Sequence, residues 1–136
     1  MADITITAAN VVPASGATIP VGTAGETITA GKALYLKASD SRLWLAQCDG
    51  TAAEAAVVGI ALSGASAGQP LPYVTAGTMN IGGTTSKADV YCLSATAGGI
   101  APQADLTSGH RIVFIAYATA TDGTVTLMIK NTGAVV

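Results

Sequence analysis

Charge is what this sequence lacks most. Asp, Glu, Lys and Arg together make up 10% of the chain, against about 25% in ordinary soluble domains. A folded monomer of 136 residues exposes roughly 6,500 Å². Six basic and eight acidic side chains are too few to cover such a surface in the usual way. The surface must be built largely of Thr, Ser, Gly and Ala, with part of it covered by other chains. A homo-oligomer is therefore expected. The Lys and Arg residues are scattered between Lys32 and Lys130. Without a basic patch, the chain is not expected to bind nucleic acid by neutralising phosphates.

Other absences narrow the field. Histidine occurs once, as His110 in Thr107-Ser108-Gly109-His110-Arg111. No second His and no cysteine pair at metal spacing accompanies it, so no zinc site is expected. Ser108 beside His110 lacks the strained nucleophile turn and orienting acid of a triad. Two cysteines, Cys48 and Cys92, cannot define a disulfide framework and read as small buried hydrophobes. Aromatic residues amount to 4%, too few for a sugar-binding cleft flanked by paired carboxylates. The carboxylates are isolated and sit mostly at turns, where Asp accepts backbone N–H bonds. Gly82-Gly83 and Gly98-Gly99 carry no Lys-Ser/Thr of a phosphate loop. Asp40 and Asp49 lack calcium-loop spacing. No apolar run approaches the ~18 residues of a membrane helix, and no secretory leader is expected from the first residues. No catalytic residue, metal ligand or cofactor is assigned, and the chain is not expected to be an enzyme.

What is present is β structure. Sixteen glycines and abundant threonine disfavour long helices. Short apolar or alternating segments bounded by turn residues recur instead. They lie at 3–7, Ala33–Lys37, 43–47, 57–62, 71–75, Thr78–Ile81, 88–93, 112–119 and 124–130. Ala76-Gly77 reads as a two-residue hairpin turn, and Asp122-Gly123 as a stronger one. A short helix with Thr51 as its cap is expected at 51–56. The spacing of the strands is that of a compact β-sandwich or small β-barrel. Its core is expected from Leu34, Leu36, Val57, Val58, Ile60, Val90, Ile112, Phe114, Leu127 and Ile129.

Residues 25–136 form this β domain, and 1–24 read as an extended N-terminal arm. A weak internal repeat divides the domain. Tyr35 and Tyr91 share a spacing with Gln47 and Gln103, Asp49 and Asp105, Thr51 and Thr107, and Val57 and Val113. The two pseudo-repeats span about 31–62 and 87–119. Within the arm, Asp3, Ile4, Thr5, Ile6 and Thr7 alternate as a strand able to add to another sheet edge. Val11 and Val12 follow. Pro13 and Pro20 hold the next stretch extended.

Several phrases together carry a family likeness. They are Asp3-Ile4-Thr5-Ile6-Thr7-Ala8-Ala9-Asn10-Val11-Val12, the stretch from Ala24-Gly25-Glu26 to Ala33-Leu34-Tyr35-Leu36, Gly59-Ile60-Ala61-Leu62, Ala67-Gly68-Gln69-Pro70, and Leu93-Ser94-Ala95-Thr96-Ala97-Gly98-Gly99-Ile100. The chain resembles the head decoration, or capsid cement, proteins of tailed bacteriophages. That resemblance implies an all-β structural protein of the virion, assembled in the host cytoplasm and bound to the capsid exterior, commonly as a homotrimer. Its partners would be the major capsid protein and itself. Asp3, Ile4, Thr5, Ile6, Thr7, Val11 and Val12 are then the candidate capsid- or subunit-binding residues. The alternatives are a β-rich tail, baseplate or fibre subunit, or a carbohydrate-binding module on the virion, for which Trp44 is the strong candidate residue.

Overall fold

The structure, a computed structural model, describes residues 3–136. Its strands are β1 (Val11–Pro13), β2 (Val21–Thr23), β3 (Ala33–Lys37), β4 (Arg42–Leu45), β5 (Val57–Ala61), β6 (Pro70–Val74), β7 (Thr78–Ile81), β8 (Val90–Leu93), β9 (Ile100–Pro102), β10 (Arg111–Ala118) and β11 (Thr124–Val135). Two 3₁₀ turns, Ala8–Asn10 and Gln103–Asp105, are the helical elements among the described residues. The strands form two antiparallel sheets, in the orders β1-β7-β11-β10-β8-β9 and β2-β6-β5-β3-β4. One sheet curls into a half-barrel, and the described residues form a compact, nearly all-β sandwich or barrel.

Local chemistry sets the turns. Between β10 and β11, Gly123 has φ +98°, a conformation that strains any residue with a Cβ. The Asp122 carboxylate accepts bonds from the Thr124 N–H (3.0 Å) and hydroxyl (2.7 Å). Between β3 and β4, Asp40 accepts from the Arg42 N–H at 2.9 Å. At 51–56 the expected helix is replaced by turns. Its capping chemistry survives without it: Thr51 N–H donates to the Glu54 carboxylate (3.0 Å), and Glu54 N–H to the Thr51 hydroxyl (3.3 Å).

The two sheets share part of their strand order. Residues 31–62 contain β3, β4 and β5, and 87–119 contain β8, β9 and β10. In one sheet the order runs β6-β5-β3-β4 and in the other β11-β10-β8-β9. The same connectivity is thus built once per sheet. Tyr35 and Tyr91 lie on the corresponding strands β3 and β8, and both are buried.

The sheets enclose a large apolar cluster that includes Tyr35, Ile60, Met79, Leu93, Val113 and Ile115. A second, smaller cluster holds Ala24, Ile28, Leu34, Leu43, Ala61, Ala65 and Leu71. It lies over the other face of the five-stranded sheet, because neighbours in one strand, Leu34 and Tyr35 or Ile60 and Ala61, divide between the clusters. A strand buried on both faces reads as a continuous apolar run, which is how 57–62 looks.

Several expectations need correction. Leu34, Val57, Ile60 and Leu127 are buried, but Leu36 is 53% exposed. Val58, Val90, Ile112, Phe114 and Ile129 are only half-buried. In β10 the fully enclosed residues are Val113 and Ile115. That strand is apolar at nearly every position, so alternation could not select its inner face, and a register shift between Phe114 and Ala116 alters the phase again. Ala76-Gly77 is not a hairpin: β6 pairs with β2 and β5, whereas β7 pairs with β1 and β11. Gly77, at φ +103°, takes the chain from one sheet to the other. Residues 3–7 form no strand.

Candidate assembly surface

Residues 11–23 run antiparallel to 70–81 across both sheets. Val11 lies opposite Ile81, Pro13 opposite Met79, Thr18 opposite Ala76, Val21 opposite Pro72 and Thr23 opposite Pro70. Backbone bonds continue between the strands, from Ala14 N–H to Thr78 O (2.9 Å), Thr18 N–H to Ala76 O (3.0 Å) and Tyr73 N–H to Pro20 O (3.1 Å). β1 and β2 are therefore the terminal strands of the two sheets, joined into one long rim. The stretch expected as an arm lies along the domain. Pro13 and Pro20 fit a rim, because proline has no N–H to give to a further strand and is confined to sheet edges.

The rim is apolar and uncharged. Val12 is 54% exposed and Val21 65%, with Ile19 between them at 41%. No charged side chain occurs between Asp3 and Glu26. Val11, by contrast, is buried in the large cluster. The candidate pair Val11 and Val12 thus divides: one side chain anchors β1 and the other faces outward.

Residues 3–7 lie in a groove. Ile4 N–H donates to Ile100 O at 2.9 Å, and Thr7 N–H to Gly82 O at 2.8 Å. Asp3 accepts from the Ser94 hydroxyl at 2.6 Å. Ile4 and Ile6 pack against the large cluster, while Thr5 and Thr7 face outward. Thr5 and Thr7, with Asn10, Asn80, Thr84 and Asp122, border an open polar depression of about 620 Å³. Six of the seven candidate residues thus lie in the groove or on the adjoining rim, and Val11 lies in the core.

The remaining candidates are accounted for locally. His110 Nδ1 accepts from the Thr107 N–H at 3.2 Å within its own turn. Cys48 and Cys92 are buried free thiols, pushed up to about 11 chiefly by desolvation, so neither is a nucleophile at neutral pH. Trp44 donates from Nε1 to the Asp40 carboxylate at 3.1 Å. Its ring carries Lys37 Nζ at 4.3 Å from the centroid, which covers one face that a sugar would use. Among the described residues no three His, Cys, Asp or Glu side chains are grouped as a metal site, and no helix is long and apolar enough to cross a membrane.

Two features of the surface went unread in the sequence. One is the continuity of the rim through Pro13 and Pro20, for which those prolines were the available signal. The other is the exposed end of β11, where Val135 and Val136 are about half exposed. No protein-family model matches the chain, and no curated protein matches it.

Proposed function

We propose that this protein decorates the outside of a tailed-bacteriophage head, binding the major capsid protein as a homotrimer and stabilising the shell. The observation that carries the reading is the uncharged rim of residues 11–23, with Val12, Ile19 and Val21 exposed on a chain that resembles capsid cement proteins. Apolar side chains on a terminal strand gain by being covered, at roughly 25 cal/mol per Å² removed from water. A capsid repeats each contact over its surface, so modest affinity per copy suffices once subunits are linked. The low overall charge fits the same role, because interface cores are poor in Lys, Glu and Asp.

The test is co-sedimentation with undecorated heads. Wild-type protein should pellet with the heads and saturate at a fixed ratio to the major capsid protein. The pair Val12→Lys and Val21→Lys should remain folded, since both side chains are exposed, and lose most of its binding. Absence of wild-type binding to heads, or assembly of the purified protein into rings or tubes, would replace this reading with that of a tail or baseplate subunit.

A further inference from the structure

Aspartate is followed by glycine twice in this chain, at Asp49-Gly50 and at Asp122-Gly123. In such a step the aspartyl side chain can close on the main chain, because glycine has no Cβ to obstruct the approach to its nitrogen. The glycine nitrogen attacks the protonated carboxyl carbon, loses its proton, and water leaves, giving a succinimide ring. Water then reopens the ring at either carbonyl. One opening restores aspartate. The other leaves isoaspartate, with the main chain routed through Cβ and Cγ. The water lost is regained, so no further reactant is consumed.

The fold treats the two steps differently. At 122–123 both reacting groups are held. The Asp122 carboxylate accepts from the Thr124 N–H at 3.0 Å and hydroxyl at 2.7 Å. The Gly123 N–H donates to the Thr85 hydroxyl at 3.2 Å, and buried Thr85 is fixed in turn by donating to Ala120 O at 2.7 Å. Ring closure there has to turn the carboxylate away from Thr124 and take the nitrogen from Thr85. At 49–50 neither group is held. Asp49 is exposed, in a bend between β4 and β5. Among the described residues neither its carboxylate nor the Gly50 N–H makes a hydrogen bond. The flanks are anchored instead. Cys48 N–H donates to Ser94 O at 2.9 Å, Arg111 N–H donates to Cys48 O at 2.8 Å, and Thr51 N–H donates to the Glu54 carboxylate. The reacting pair is thus unrestrained between two fixed ends.

We infer that Asp49-Gly50 is a modification site, where the folded protein converts to isoaspartate as it ages, while Asp122-Gly123 is protected. The added main-chain carbon must be absorbed between Cys48 and Thr51. The contact that gives way is the bond from Arg111 Nε to Gly50 O, already long at 3.3 Å. The chemistry is the same whether or not the chain sits on a capsid. The experiment ages folded wild-type protein in mildly acidic buffer, with a parallel sample in denaturant. Isoaspartate is then located in proteolytic peptides by electron-transfer fragmentation. The folded protein should carry several-fold more at 49 than at 122, and denaturant should bring the two sites close to parity. Thr85→Val, which frees the Gly123 N–H, should raise the yield at 122. Thr124→Ala, which removes one bond to the Asp122 carboxylate at the surface, should raise it less. No isoaspartate at 49, equal yields in the folded protein, or the same excess at 49 in denaturant would overturn the assignment. An unchanged yield at 122 in both variants would overturn the protection.

Discussion

Leu34 and Leu36 make the sharpest pair for perturbation, because they share a strand, a face and a chemistry but differ in cover. Leu34 is fully buried in the smaller cluster, and Leu36 is 53% exposed. Leu→Ala removes three carbons, worth about 0.8 kcal/mol each on transfer. At Leu34 the cavity adds to this, for a total of about 3.5 kcal/mol. At Leu36 half of the transfer term is already forfeited and no cavity forms, so about 1 kcal/mol is expected. With roughly 2.1 cal/mol/K of unfolding entropy per residue, the melting temperature should fall by about 12 °C for Leu34→Ala and about 3 °C for Leu36→Ala. Urea unfolding followed by far-ultraviolet circular dichroism at fixed protein concentration gives the same comparison through the shift in midpoint. Equal losses would refute the reasoning, because they would mean that the outer face of β3 is covered along its whole length.

Three further outcomes are expected. Ala88 has φ +71°, where a Cβ costs about 1 kcal/mol, so Ala88→Gly should raise the urea midpoint despite glycine's greater freedom in the unfolded chain. Cys48 and Cys92, with thiols pushed up to about 11 mainly by burial, should resist maleimide at pH 8 in the native protein and both react in denaturant. Glu54 is held below the usual glutamate value by the Thr51 N–H, then by the Thr51 hydroxyl. Asp122 is held low by the Thr124 hydroxyl, then by its N–H. Because each binds its proton less tightly when folded, their contribution is present above the unfolded carboxylate range and is lost as pH falls through the folded values. Stability measured between pH 6 and pH 3 should therefore decline, and Glu54→Gln should flatten part of that decline.

The sequence reading worked where local chemistry decides. The Asp122-Gly123 hairpin, the run at 57–62 and the strands carrying Tyr35 and Tyr91 follow from turn residues and apolar patterning. It failed where the deciding contact is distant. The inner face of β10 is set by packing and a register shift, since Ile112, Val113, Phe114 and Ile115 are all apolar. Ala76-Gly77 has the composition of a hairpin, but β11 captures β7 and β5 captures β6. Residues 3–7 alternate as a strand should, yet bonds to Ile100 O, Gly82 O and the Ser94 hydroxyl hold them in a groove instead. The candidate residues were legible as one stretch that carries no charge after Asp3. Their division into a buried anchor, an outward rim and a docked segment was not.

The central claim is that this chain sits on the outside of a phage head. Electron cryomicroscopy of the particle that carries it tests this most directly. The account predicts density for a two-sheet domain on the outer surface of the shell, at three-fold or quasi-three-fold positions, with the rim of residues 11–23 turned toward the capsid or a neighbouring copy. Density for this domain in the tail or baseplate, with a bare shell, would contradict it.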